Sequence, residues 1–566
     1  MQFDLLFEEL GEYGCFQRWI VWSISTVSFW GGLLSLTSVF VLAIPKHRCA
    51  IPGWDNDTFT IQNDQHQAII NNTIPLSNTD DELLYDQCHY YNVDHHGNRT
   101  LEQCSTWVYD MSIYKTSLAA DLNMVCDGAI MKSNAQMASL AGILVGSIIT
   151  GLISDRYGRK ITMCVSLSIT LVCSLGMVWS SNYILYVILT FLVGFFTCGS
   201  GMSSFVIALE YVGPSQRKFA GILGSIMYTL GFMALPALAY LIKEWSKLLL
   251  VVSLVGVVFI PLWLKCLCPE SARWLLARGR YKEAREVIEM WAKWNKVTLS
   301  ENVYKKIMTE TEDEESKESQ GNLLNLFTSR VLFIRTAINF LIWAVTGCSY
   351  YGLAFNAEDL GTDLYLNISL QAAVELPSNF LCIFLLDRIG RKPITLWSMI
   401  IGGVALVGTI FTLIYLPDSL VATTVIMLIG KFGVSVCYST IFVYSAELFP
   451  TVVRSVALGA CTVMSTFGGM VAPYLADLDR FIGGQLGKAI PQVIFATIII
   501  AGGITAIFLP ETLDRDLPET FEDAKVFGKY IQKKRPEEYN DDDIEQSQNE
   551  ALVNDDTRRS LCLETD

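Results

Sequence analysis

Charge is what this sequence is short of. Only 17% of its 566 residues are Asp, Glu, Lys or Arg, against 52% that are hydrophobic, and the mean hydropathy is +0.38. Soluble globular domains carry about 25% charged residues, so the deficit excludes a soluble protein and points to a membrane one. No Cys or His spacing fits a zinc site, and neither a metal nor a cofactor is implied. No Walker A loop is present either. The nearest stretch, Gly483 to Ala489, has the wrong glycine spacing and puts Ala489 after Lys488 where Ser or Thr is needed, which argues against ATP as a direct energy source. The segment before the first apolar run, MQFDLLFEELGEYGCFQRW, is acidic and lacks a basic n-region, so a retained first helix is expected and not a cleaved signal peptide.

What is present is a series of about twelve mainly apolar stretches, each of roughly 17 to 25 residues and so long enough to cross a hydrocarbon core of about 30 Å. Several are interrupted, as at Leu235-Pro236-Ala237 and Glu375-Leu376-Pro377, which membrane helices tolerate. Lys and Arg in short loops set orientation. Arg156, Arg159 and Lys160, then Arg217 and Lys218, then Arg388, Arg391 and Lys392, and finally Arg454 fall on one side. That side is expected to be cytoplasmic and to hold both termini, although Lys243, Lys247, Arg480 and Lys488 break the bias. The expected layout is a cytoplasmic N-terminus over 1–18, a first span over 19–44, an extracellular loop over 45–132, spans two to six over 133–268, a cytoplasmic helical linker over 269–330, spans seven to twelve over 331–510 and an acidic, disordered cytoplasmic tail over 511–566.

The long loop holds Cys49, Cys88, Cys104 and Cys126, which allow three disulfide pairings that sequence does not distinguish. It also holds glycosylation sequons at Asn56, Asn71 and Asn98. Together, on the face that topology assigns to the exterior, they predict an oxidised, glycosylated domain, read most simply as a folded cap without a ligand role. The remaining cysteines fall mostly in apolar spans, as small packing residues.

Three markers recur in the same order. DRYGRK at Asp155 returns as DRIGRK at Asp387, EYVGPSQR at Glu210 returns as ELFPTVVR at Glu447, and PES at Pro269 returns as PET at Pro510, offsets of 232, 237 and 241 residues. Three markers in register predict a duplicated half of about six spans, the parallel repeat of a carrier. Their chemistry suits a cytoplasmic latch in which Asp155, Arg156, Arg159, Glu210 and Arg217, with Asp387, Arg388, Arg391, Glu447 and Arg454, form ion pairs at neighbouring helix ends, made when the halves close on the inside and broken when they open. The glycine of each DRxGRK permits a tight turn. Positive-inside topology alone would need neither the Asp, nor the Gly, nor the repeated seven-residue step from Glu to Arg.

On these residues the chain resembles the major facilitator superfamily, and PESARWLLARGRYKEA, GEYGCFQRW, LNMVCD and ELFPTVVR are similar to the organic cation, carnitine and organic anion transporters of solute carrier family 22. The resemblance runs from about Glu9 to Glu519. It implies an all-α membrane protein of about twelve transmembrane helices in two six-helix halves, working by alternating access.

Ionisable groups deep in spans are costly enough to be functional suspects. Counting from the cytoplasmic markers at about 1.5 Å per residue, Glu375 lies about 18 Å above Asp387 and Lys431 about 24 Å above Glu447, so the two can pair. A structural ion pair and a direct substrate contact are both open readings. Trp343, Tyr350, Tyr351, Tyr438, Phe442, Tyr444, Phe29, Trp30 and Tyr228 can line a cavity between the halves, and aromatic walls suit organic cations. Trp343 and Tyr350 match aromatic positions that line the pocket in related cation transporters. Thr466 departs from the pattern: cation transporters of the family place an Asp there, and carnitine and anion transporters an Arg, so the resemblance leaves the sign of the substrate open.

The linker stretch YKEAREVIEMWAKW has helical apolar spacing at Ala284, Val287, Ile288 and Trp291. The expected function is plasma-membrane transport of small organic cations or carnitine-like zwitterions, driven by membrane potential and substrate gradient. An organic anion exchanger of the same family and a non-transporting receptor built on the fold are the alternatives. No enzyme activity and no nucleic-acid partner are expected; the partners are the lipid bilayer and the small substrate.

Overall fold

The computed structural model describes residues 5–54, 56–79, 82–93, 99–213, 216–264, 267–297, 326–327, 329–356, 364–416, 419–450, 453–478, 484–513, 515, 518 and 521–527. These contain twelve helices long and apolar enough to cross a membrane: Cys15–Val41, Cys126–Tyr157, Arg159–Val178, Tyr183–Glu210, Phe219–Ile242, Trp245–Trp263, Arg330–Phe355, Leu364–Ile389, Arg391–Tyr415, Leu420–Leu448, Val456–Ala476 and Ala489–Phe508. They are numbered spans one to twelve. Two begin earlier than apolar counting places them, at Cys15 and not 19, and at Cys126 and not 133. Each gains a polar first turn that hydropathy does not register: Gln17 accepts from the Gly14 N–H at the start of the first, and a tight turn over Cys126–Gly128 leads into the second.

The duplication read from the markers is visible in the packing. Span one lies along span five as seven lies along eleven, two along four as eight along ten, and three along six as nine along twelve. Glycines permit the closest approaches. A Cβ on Gly32 or Gly231 would strike the backbone of the partner helix between spans one and five, and one on Gly347 or Gly468 would do so between seven and eleven. The halves meet through spans two and eleven and spans five and eight, pairs that the same two-fold relation exchanges.

The loop after the first span is a small domain of three two-stranded antiparallel sheets and the helix Asp64–Thr73, a β component outside the helical frame. Of the three pairings, the structure selects Cys49–Cys104 and Cys88–Cys126. Asn56 and Asn71 are exposed, while Asn98 lies outside the described residues. At the domain's centre Asp57 takes two hydrogen bonds from Arg48, at 2.9 and 2.5 Å, one from the Ile51 N–H at 2.9 Å and one from His66 Nε2 at 2.9 Å. The Gln62 N–H donates to His66 Nδ1 at 3.2 Å, so the ring proton sits on Nε2, facing the carboxylate. Burial pushes the Asp57 carboxyl up, and the bonds from Arg48, Ile51 and His66 outweigh it, leaving it below the usual aspartate value. A depressed folded value means that its stabilisation is full above the unfolded pKa, about 3.9, and is lost as pH falls through the folded one. Limited proteolysis of the purified protein is therefore expected to spare this domain down to about pH 4 and to cleave it progressively below. Onset near pH 6 would contradict the assignment.

The domain is stitched to the connection between spans five and six. Lys115 donates its N–H to Lys243 O at 3.0 Å, Thr116 pairs with Glu244 in a short bridge, and Trp245 Nε1 donates to Asp121 at 2.8 Å. On the opposite face, the linker helix Tyr281–Asn295 buries Ala284, Val287, Ile288 and Trp291, the stripe its sequence spacing predicts. Trp291 packs between Phe7 and Phe16 at 5.2 and 6.2 Å. The segment assigned to a disordered tail from 511 is partly ordered: Arg335 donates to Ala524 O and Phe527 O, both at 2.7 Å, tying the helix Phe521–Val526 to span seven.

Candidate functional site

Span ten carries Lys431 between Gly430 and Gly433, where the missing side chains bring it against span nine, and its ammonium reaches toward spans seven and eight. Lys431 is fully buried. Its Nζ lies 3.6 Å from Glu375 on span eight, donates to Tyr350 O at 3.2 Å and sits 3.5 Å above the centroid of the Tyr350 ring. The pair expected from the sequence is therefore formed. It is loosely made: 3.6 Å exceeds a hydrogen bond, and Glu375 Oε1 accepts none among the described residues. Taking two charges out of water costs several kcal/mol each, and a carboxylate with an unused lone pair facing an ammonium is poised to accept a second cation.

Aromatic rings continue from this pair without a break. Tyr350 stacks on Tyr438 at 5.3 Å, Tyr438 meets Phe442 at 5.6 Å, and Phe442 meets Trp343 edge-on at 4.5 Å. Trp343 is buried and fixed by donating to Ser445 Oγ at 2.9 Å. Tyr351 lies 5.4 Å from Tyr350. Tyr228 belongs to the other half, yet lies within electrostatic range of Glu375, Tyr438 and Tyr351, so the cluster spans the boundary between halves. Thr466 is not joined to it by any hydrogen bond among the described residues: its hydroxyl returns to Thr462 O on its own helix, at 3.0 Å. Tyr438, one of the aromatic residues expected to line the cavity, stands at the centre of the cluster, against both Tyr350 and Phe442. The signal is present in the chain, because Lys431, Tyr438 and Phe442 stand at i, i+7 and i+11, one helical face.

The repeated markers converge into one cluster per half. Arg159 pairs with Asp155 at 3.1 Å and Glu210 at 3.5 Å; Arg391 pairs with Asp387 at 3.7 Å and Glu447 at 2.8 Å. Gly158 and Gly390 take φ of +114° and +99°, turns that glycine alone makes at no steric cost. The helix that starts after each is capped by the carboxylate of the third marker: Glu270 accepts the Lys160 N–H at 3.0 Å, and Glu511 accepts those of Arg391 and Lys392 at 3.0 and 3.1 Å. Negative charge at a helix N-terminus is stabilising. These two glutamates, absent from the expected site residues, are marked by the PES and PET repeat itself.

The latch differs from its expected form in one respect: each of these ion pairs joins helices of a single half. Arg156 and Arg388 are exposed. Arg217 and Arg454 open the fifth and eleventh helices, and Arg454 is within electrostatic range of Glu447. Among the described residues, direct contacts between the halves are found on the side of the disulfide-bonded domain. There Ser133 donates to Asp477, Tyr474 donates to Asn134 at 2.7 Å, and Tyr365 stacks on Phe40 at 5.7 Å.

A family model described as sugar (and other) transporter matches residues 100–523. Among similar proteins are the organic cation transporter protein of Drosophila melanogaster, 33% identical over 94% of this chain and 95% of that one, and the human organic cation/carnitine transporter 2, 31% identical over 91% and 92%. Among solved structures, the partially occluded inward-open xylose transporter XylE of E. coli matches with a TM-score of 0.58 at 14% identity, over 88% of this chain and 99% of that one, a likeness of fold.

Proposed function

The chain belongs to solute carrier family 22, within the sugar (and other) transporters of the major facilitator superfamily, and on that premise we propose that it carries small organic cations or carnitine-like zwitterions across the plasma membrane by alternating access. It is a multi-pass membrane transporter and not an enzyme. The observation that carries the proposal is the buried Glu375–Lys431 pair, 3.6 Å apart and walled by aromatic rings. The positive group of a substrate competes with Lys431 for Glu375, while Tyr350, Tyr438 and Tyr228 offer ring faces, each worth about 0.5 to 2 kcal/mol to a cation. Trp343 and Phe442 extend the wall, Tyr351 backs Tyr350, and Thr466 contributes no charge.

The motif clusters act as rigid corners: by tying three elements of one half together they let each half move as a body, with its charged surface cytoplasmic. The termini lie on that side and the glycosylated loop domain faces outward, with Asn56, Asn71 and Asn98 as acceptors. An interior-negative potential contributes about 2.3 kcal/mol per elementary charge per 100 mV, enough for a uniporter to concentrate a monovalent cation.

Uptake of labelled tetraethylammonium, carnitine and para-aminohippurate in oocytes clamped at two voltages tests this. Tetraethylammonium influx is expected to rise severalfold on hyperpolarisation by 100 mV, an interval worth about 2.3 kcal/mol. Para-aminohippurate uptake with neither of the others would replace the proposal with anion exchange, the reading that fully buried Lys431 favours.

A further inference from the structure

Tyr365, at the start of span eight, is the point where the C-terminal half enters the N-terminal one. Its ring stacks on Phe40 of span one at 5.7 Å, with the planes 11° apart; it meets Tyr240 of span five edge-on at 5.6 Å and Tyr114 of the loop domain at 6.2 Å. Three rings from three separate elements of one half thus hold one ring of the other. The fit is close: the crevice left there, bounded by these rings with Ala239 and Glu244, has about 10 Å³ of free space, hardly room for a single water. Tyr114 is held in place by the stitch from Lys115 to Lys243. Lys243 places its ammonium 5.5 Å from the centroid of Tyr240, so a cation already uses a ring face at the rim.

We propose that Tyr365 is a removable plug in the outer wall, and that the slot among Phe40, Tyr114 and Tyr240 that it vacates when the halves part is a first-contact site for the aromatic ring of an incoming aryl-ammonium substrate. The slot is shaped for a flat ring because it holds one. Spans five and eight pack against each other, so separation of the halves must pull Tyr365 out of it. Buried Phe40 and half-buried Tyr114 would then lose cover at the moment the outer side opens, and an aryl group that replaced the tyrosine ring would recover that contact, as offset and edge-to-face aromatic pairs do. Glu244 at the crevice is paired with Lys247 at 2.7 Å and Lys115 at 3.6 Å, so the attached ammonium exchanges with one of these lysines at the carboxylate and displaces Lys243 from Tyr240. This inference rests on the transport reading above, but its test does not depend on uptake.

Ala239, 3% exposed beneath the plug, is replaced by Cys, and labelling by an impermeant thiol reagent is timed on intact cells, with the native chain as background and surface protein quantified. Adding Tyr365→Ala to Ala239→Cys is expected to speed labelling at least tenfold, and adding Tyr365→Phe, which keeps the ring, to leave it within twofold. Phenyltrimethylammonium is expected to slow labelling of the Tyr365→Ala protein, and tetraethylammonium, which has no ring, to leave it unchanged. No acceleration with Tyr365→Ala, or equal acceleration with Tyr365→Phe, overturns the plug. Absence of protection by phenyltrimethylammonium, or equal protection by tetraethylammonium, overturns the ring site. A chain that takes up no cation would defeat the transport reading and leave these rates informative.

Discussion

Glu375→Gln is expected to lower initial uptake of tetraethylammonium about a hundredfold per surface molecule. Removing one partner of a buried ion pair costs about 3–5 kcal/mol, and each 1.4 kcal/mol is about tenfold in an equilibrium. Part of that cost falls on the protein itself, since Lys431 would be left in a fully buried position without its carboxylate, with only Tyr350 O and the Tyr350 ring beside it. The double variant Glu375→Gln with Lys431→Met separates the two effects: surface abundance should return toward the native level, because no uncompensated charge remains, while uptake stays low. Surface biotinylation and initial-rate uptake measure both quantities. Normal uptake by Glu375→Gln at native surface level would remove the carboxylate from the substrate path.

The second large effect is expected at Gly390. At φ +99° a Cβ is strained, which costs about 1–3 kcal/mol, and at this position it would also approach Glu511 Oε2 to 2.7 Å. That carboxylate holds the first N–H groups of span nine, so Gly390→Ala displaces a cap as well as straining a turn. Surface protein is expected to fall about tenfold, and Gly158→Ala, which meets Glu270 in the same way, should behave alike. Gly279 is the control. It has φ +65° but nothing within 4 Å of a Cβ, so Gly279→Ala carries strain without collision and should reduce surface protein by less than half as much. Equal loss at Gly279 and Gly390 would mean that the carboxylate contact is unimportant.

The span count, the duplication and the Glu375–Lys431 pair are all legible in the amino-acid sequence alone. Each rests on a period or an offset: apolar length against bilayer thickness, equal spacing of three markers, and rise per residue counted from a fixed end. The disulfide pairing is not legible, because four cysteines in one loop fit three patterns equally. The inward reach of Tyr438 is hidden by the abundance of aromatics in the same spans, and only its register with Lys431 distinguishes it. The division of the charged markers into two closed sets is hidden for a different reason. Like sequences in the two halves suggest partners for one another, whereas the fold satisfies Arg159 and Arg391 at home, through Glu210 and Glu447, while PES and PET bring Glu270 and Glu511 back to the Lys160 and Arg391 N–H groups from 110 and 120 residues away.

The moorings of the loop domain have a mechanical consequence. Cys88–Cys126 fastens the domain to the entrance of span two, and Lys115, Thr116 and Asp121 hold its far end to the connection between spans five and six. Both attachments belong to the same half. The loop domain, a canopy fixed to one half, is therefore expected to swing with one leaf of the door and not to be hinged across the two. An antibody fragment gripping only the canopy would leave the cycle free to turn, while one that also grasped the loop-side end of span eleven near Asp477 would lock it.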